Sequence, residues 1–192
     1  MSKKIGLFFI VLGTLCLLSS VGLILYNSIE EKNGEHYAST LLEEMNKKMN
    51  DHIVDDNHIE FEMNTINING YESIGVLSIP ILELELPILN DCDDNKLKIA
   101  PCLYYGSYFE ENFVIAAHNY QSHFGRLKEL QEKDLIFFTD VNGNTYYYEV
   151  VLIETLSKYA SEQMITSGFD LSLYTCTPGG SNRVTVRCNK IK

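Results

Sequence analysis

Near its end the chain places a thiol and a guanidinium on either side of a turn. In Leu171–Arg187 (LSLYTCTPGGSNRVTVR) an apolar run ends on Cys176 and a second run opens with Arg183. Thr177–Asn182 between them is made of turn formers, so the chain can reverse there as a β-hairpin. Neighbouring strands lie ~4.8 Å apart, a gap that an arginine side chain spans with ease. A guanidinium beside a thiol lowers its pKa and can hold an oxyanion. The competing reading is a buried, inert cysteine beside a turn. A strand end, a glycine loop and an adjacent charge weigh against it. Arg187 shares a strand face with Arg183 by alternation, but it stands further from the loop and ranks second.

A thiol that transfers acyl groups needs a base, and histidine is the usual one. His36, His52 and His58 fall before the domain proper, where a catalytic group would be poorly held. His118 instead ends a predicted buried strand and opens the polar run HNYQSH, so it is fixed on one side and open to solvent on the other. His123 follows in the same loop. A metal site from His118, His123, Cys176 and Cys188 is the other sharp reading, and its spacing matches no zinc pattern.

The elements that must hold these residues are short. Strands are expected at Ser73–Pro80, at Leu84–Leu89 (an edge strand, or one ending at Pro87), at Asn112–Ala117, Asp134–Thr139, Asn144–Glu154, Leu171–Cys176 and Arg183–Asn189. Asn142-Gly143 is a strong hairpin signal. Asp91–Pro101 is polar with room for a helical turn, Phe124–Glu132 reads as a short helix, and Tyr159–Phe169 reads as a loop with a helical turn. Seven or eight short strands with few helices predict a mainly β domain, a barrel or a sandwich.

Composition bounds the function. The chain is 45% hydrophobic and 21% charged, which is ordinary for a folded domain. Its net charge is −11, and both Lys3 and Lys4 precede the first apolar run. The remainder carries 13 basic side chains against 26 acidic ones, which argues against a nucleic-acid partner. The cysteines Cys16, Cys92, Cys102, Cys176 and Cys188 are odd in number and irregular in spacing, so no disulfide framework is indicated. Whether Cys92 and Cys102 pair is left open.

Ile5–Tyr26 is a run of 22 residues without a charge, and a spanning helix needs ~20. It is long for a signal peptide and no A-x-A-like site ends it, so it reads as an uncleaved anchor. Lys3 and Lys4 on one side and Glu30 and Glu31 on the other predict a cytoplasmic N-terminus and an extracellular domain. Residues 1–26 are thus the tip and anchor, and 71–192 the barrel domain. Residues 27–70 hold a juxtamembrane helix (Glu35–Asn50, with Tyr37, Leu41, Leu42 and Met45 near one face) and a linker (Asp51–Asn69). These form either a stalk or a helix packed on the domain.

In its order of parts the chain resembles the sortases, membrane-anchored cysteine transpeptidases of Gram-positive bacteria. The resemblance rests on the anchor, on Gly75-Val76-Leu77-Ser78-Ile79-Pro80 near the domain start, on a strand ending in His118, on Tyr174-Thr175-Cys176-Thr177-Pro178, and on Arg183 opening the last strand. It covers roughly Tyr71–Lys192. It implies a closed eight-stranded β-barrel with Cys176 as nucleophile, His118 as the catalytic histidine and Arg183 as the oxyanion-stabilising arginine. It also implies that Thr175 shapes the substrate-binding site. The implied substrate is a secreted protein with a C-terminal LPxTG-like signal, and the implied acceptor an amine of a cell-wall precursor or a pilin. No cofactor is implied, and nothing in the residues indicates calcium activation. Ala117 stands where the family often has glycine, and the Cys176–Arg183 loop is short, departures that fit a class D-like or unassigned branch. The alternatives are a hydrolytic cysteine peptidase at the cell wall and a non-catalytic, membrane-anchored binding module.

Overall fold

The computed structural model describes residues 3–52 and 63–191. It opens with one unbroken helix, α1 (Lys3–His52). The apolar run Ile5–Tyr26 exposes its side chains all round, as a helix does when lipid is its solvent. Beyond it the pattern changes. Gly34, Ala38, Leu41 and Met45 are buried, four positions on one face. The expected face included Tyr37, which is 55% exposed. Small Gly34 and Ala38 make the contact instead and let the helix approach the domain closely. The helix is therefore packed on the domain and is no free stalk. Most of the expected linker lies outside the described residues, as do the side chains of His52 and His58.

Nine strands follow: β1 (Ile66–Ile68), β2 (Tyr71–Ile79), β3 (Leu84–Leu89), β4 (Cys102–Tyr105), β5 (Phe113–Ala117), β6 (Leu135–Asp140), β7 (Thr145–Ser157), β8 (Leu171–Cys176) and β9 (Asn182–Ile191). The order β2-β3-β4-β5-β8-β9-β7-β6 closes where β6 pairs back onto β2, giving an eight-stranded barrel with β1 added beside the start of β2. The helices α2 (Asp94–Leu97) and α3 (Ser161–Ile165) are single turns in connections.

The strands missing from the sequence reading, β1 and β4, have three and four residues. Each is held by its neighbours rather than by its own pattern. β3 runs through Pro87 to Leu89, contrary to an end at the proline. It meets β4 only at Leu89↔Cys102, so Pro87, paired to Val76 on its other side, needs no N–H for a second partner. The helix expected over Phe124–Glu132 is only a 3-10 turn, Leu127–Glu129. Phe124, Leu127 and Leu130 all enter the core, and their spacing of three suits the tighter turn.

Inward side chains of the barrel form one core, with Ile74, Leu77, Phe113, Ile115, Phe138, Leu173 and Val186 fully buried. A second apolar layer lies outside the barrel, where Leu41 and Met45 of α1 meet Ile66, Ile68, Val76, Leu89 and Cys102. The two layers leave β2 crowded. A Cβ on Gly75 would lie 2.3 Å from the Thr139 carbonyl oxygen and 2.5 Å from the Phe138 ring. Gly75→Ala is therefore expected to destabilise the barrel by about 1–3 kcal/mol, read as a lower denaturation midpoint. A midpoint equal to wild type would show that β2 and β6 do not need this approach.

Candidate active site

β5 and β8 run parallel, in a register that sets Ala117 opposite Thr175. The next residue on each is His118 and Cys176. β8 and β9 run antiparallel, and Cys176 is paired directly with Arg183. The thiol thus stands at the middle of three neighbouring strand ends, with the imidazole strand on one side and the guanidinium strand on the other. Phe113, Ile115, Leu171, Leu173, Val184 and Val186 point into the core. Alternation then turns His118, Cys176 and Arg183 toward the outer face together. Each is partly buried.

Thr175 is buried and donates its hydroxyl to the Ala117 carbonyl, at 2.8 Å. This bond ties the strand that ends in His118 to the strand that ends in Cys176 and engages the hydroxyl's proton. The loop after Cys176 closes on itself: Thr177 N–H donates to the Asn182 carbonyl at 3.0 Å, and Gly180 N–H to the Thr177 carbonyl at 2.8 Å. The Arg183 Nη1 donates to the carbonyls of Gly180 and Asn182, both at 3.1 Å. The short loop therefore carries the arginine rather than displacing it, and the other N–H groups of the fork remain for an anion.

Burial holds His118 below the usual histidine range. Lys98 works in the same direction, and Glu30 and Asp94 against it. A neutral imidazole at neutral pH is the form that can take a thiol's proton. The ring stacks on Tyr120, with centroids 4.8 Å apart and planes at 20°. Tyr120 in turn lies 5.3 Å from the His123 ring.

His123 is not a surface ligand. It is fully buried, and neither ring nitrogen makes a hydrogen bond of good geometry, although the Gly34 backbone comes close enough to favour the charged form. Burial outweighs this and pushes its pKa down to about 4. The unfolded chain, with an ordinary histidine, therefore binds the proton first as pH falls. Stability conferred by the neutral ring is complete above ~6.5 and lost between ~6.5 and ~4, up to about 3 kcal/mol. His123→Gln is expected to flatten the fall in denaturation free energy between pH 7 and pH 4.5. An unchanged slope would assign the acid sensitivity elsewhere. Cys188 is buried in the core, and no group of three or more His, Cys, Asp or Glu among the described residues is arranged to hold a metal. The four residues of the metal reading are not brought together.

Arg187 has a different setting from Arg183. It is 1% exposed, and its guanidinium donates to Glu154 Oε1 at 2.9 Å, to Ser172 Oγ at 2.8 Å, and to the carbonyls of Gln163 at 2.9 Å and Met164 at 3.3 Å. It pins α3, and so the loop between β7 and β8, onto the barrel. Cys92 and Cys102 are both free, with their thiols in contact; that hydrogen bond and burial push Cys102 upward.

One aromatic residue outside the quoted motifs, Tyr104, packs against the motif's Tyr174. Tyr174, two residues before Cys176 and on the same face, packs edge-on against Tyr104 with centroids 5.3 Å apart, and Tyr104 is 42% exposed. The signal for Tyr104 was the pair Tyr104-Tyr105, hidden while β4 went unrecognised.

A closed barrel with a cysteine, a histidine and an arginine on adjoining strand ends defines a class of thiol-bearing β-barrel proteins. The family model for the sortase domain matches residues 77–191, more than half of the chain, and the chain belongs to the sortase family. No curated protein sequence matches it. Among solved structures it is similar to a sortase D5 transpeptidase from Clostridium perfringens (20% identity, 82% of this chain and 99% of that one, TM-score 0.62). It is also similar to sortase A from Corynebacterium diphtheriae (19% identity, 91% and 96%, TM-score 0.58). Sortase C1 from Streptococcus agalactiae matches with 25% identity over 66% of this chain and 71% of that one, with a TM-score of 0.57. Relatives of several classes match, so the branch stays open.

Proposed function

We propose that the protein is a cysteine transpeptidase acting at the outer surface of the membrane. The observation that carries this reading is the strand register, with Cys176 between His118 and Arg183. The Cys176 thiolate attacks the carbonyl carbon of the threonine in an LPxTG-like signal. Arg183 donates hydrogen bonds to the resulting oxyanion. As the tetrahedral intermediate collapses, the C–N bond breaks and His118 gives a proton to the leaving amine. A thioester on Cys176 remains. The incoming amine loses a proton to His118 and attacks it, which restores an amide and frees the thiol. One amide is exchanged for another, so the sequence of steps needs no nucleotide and no cofactor. The acceptor is an amine of a cell-wall precursor or a pilin lysine.

The tether supports the location. Lys3 and Lys4 precede the apolar run and Glu30 and Glu31 follow it, the charge order of a helix with its N-terminus in the cytoplasm. The substrate would then be met outside the cell.

The test is the fate of the acyl group. Purified protein with a sorting-signal peptide and a high concentration of a glycine-type amine is expected to yield the new amide as the main product. Free acid alone, at every amine concentration, would replace this reading with a hydrolytic peptidase. No turnover and no labelling of Cys176 by a thiol-reactive peptide would leave a binding module.

A further inference from the structure

The membrane anchor reaches the loop that carries His118. α1 is buried at Gly34, where a Cβ would lie 2.9 Å from both Cδ2 and Cε2 of Tyr120 and 3.1 Å from the Lys98 carbonyl oxygen. Contacts flank this point. The Gln121 N–H donates to Glu31 Oε1 at 2.7 Å, and Lys98 Nζ pairs with Glu30 Oε1 at 3.2 Å. The Tyr120 ring that the helix backbone touches is the ring on which His118 stacks. The loop 118–125 is thus held at its base by the Thr175 bond and at its tip by the helix. Gly34 is eight residues beyond Tyr26, about 12 Å along the helix from the apolar run. Imidazole, tyrosine ring and anchor therefore form one stack close to the membrane surface.

We propose that Glu31 and Gly34 of the anchor helix are positioning residues for His118, acting through Gln121 and Tyr120. The inference rests on His118 being the acid and base of the reaction. Glycine at 34 lets the helix backbone lie against Tyr120. A side chain there must lift the helix or tilt the ring, and the imidazole moves with the ring. Neither residue touches the reacting atoms, so the loss falls on the chemical step rather than on peptide binding. Displacing a reacting group by about 1 Å costs on the order of 10²-fold in rate. Exposed side chains next to the helix would not show this dependence.

The experiment uses the full chain in detergent micelles, with a sorting-signal peptide and an amine. Gly34→Leu is expected to lower kcat roughly tenfold or more with KM within about twofold. The His118 ring-proton resonance, assigned by its loss in His118→Ala, is expected to lose the ring-current displacement that Tyr120 imposes. Glu31→Ala is expected to lower kcat at least about threefold, and Glu31→Gln, which keeps the acceptor oxygen, to restore it. A folded Gly34→Leu protein with wild-type kcat and an unmoved resonance would overturn the proposal. So would a rise in KM at constant kcat. Should Gly34→Leu fail to fold, the glutamate pair decides: equal rates for Glu31→Ala and wild type, or no rescue by Glu31→Gln, overturn it. His118→Ala separates the two levels of the argument. Retained turnover in that variant would remove the assignment of His118 itself, whereas a silent Gly34 with an inactive His118→Ala would remove only the role of the helix.

Discussion

Turnover of the His118→Ala variant is expected to fall by about 10²–10⁴-fold, with the peptide still bound. The imidazole has two tasks in the proposed reaction, taking up a proton and giving one back. His123 is the only other histidine in that loop, and it is fully buried with its pKa pushed down to about 4. It cannot take over. His118 is half-buried, at a strand end, and in parallel register with the thiol strand. The loss should appear in kcat, measured under saturating peptide. His118→Gln should not rescue it, because an amide holds the shape but carries no titrating proton. Retention of more than about a tenth of wild-type turnover would show that another group moves the proton.

Arg183→Ala is expected to cost about 10²–10³-fold in turnover, the usual loss for one oxyanion donor. The variant should fold, because the Arg183 side chain donates to two carbonyls of an exposed loop that also holds itself together through Thr177. Arg187→Ala is expected to behave differently. It leaves Glu154, Ser172 and two carbonyls of α3 without their donor. The expected cost is about 3 kcal/mol of stability, the low end for a buried pair because Glu154 keeps some contact with water. Melting temperature and kcat measured on both variants separate the roles. An active Arg183→Ala, or an inactive Arg187→Ala of normal stability, would mean that the wrong arginine was assigned to the oxyanion.

Most of what places these three residues was legible in the chain. β8 begins and ends where its apolar run does, because Leu171, Leu173 and Thr175 point inward and the turn formers after Cys176 stop the strand. The buried strand ending at His118 was readable for the same reason, since all five residues of β5 are apolar and buried. What the chain concealed depends on contacts distant in sequence. The three residues of β1 and the four of β4 carry too little pattern to be seen without their partners. Arg187 reads like Arg183 by alternation. Only the fold of the β7–β8 connection over it turns one into a buried clamp and leaves the other at the rim. The role of Gly34 was hidden most deeply. In sequence it falls between the apolar run ending at Tyr26 and the helix expected from Glu35, and nothing there marks it. Its use is visible only where α1 crosses the loop of His118, more than eighty positions further along the chain.

The central claim is that Cys176 carries the acyl group between two amines. The most direct measurement is intact-mass analysis of the full chain mixed with a sorting-signal peptide and no added amine, followed by peptide mapping. The expected result is a mass increase equal to the peptide up to its threonine, located on Cys176, released by hydroxylamine and absent in Cys176→Ala. An adduct on another residue, or amide exchange that proceeds unchanged in Cys176→Ala, would contradict it.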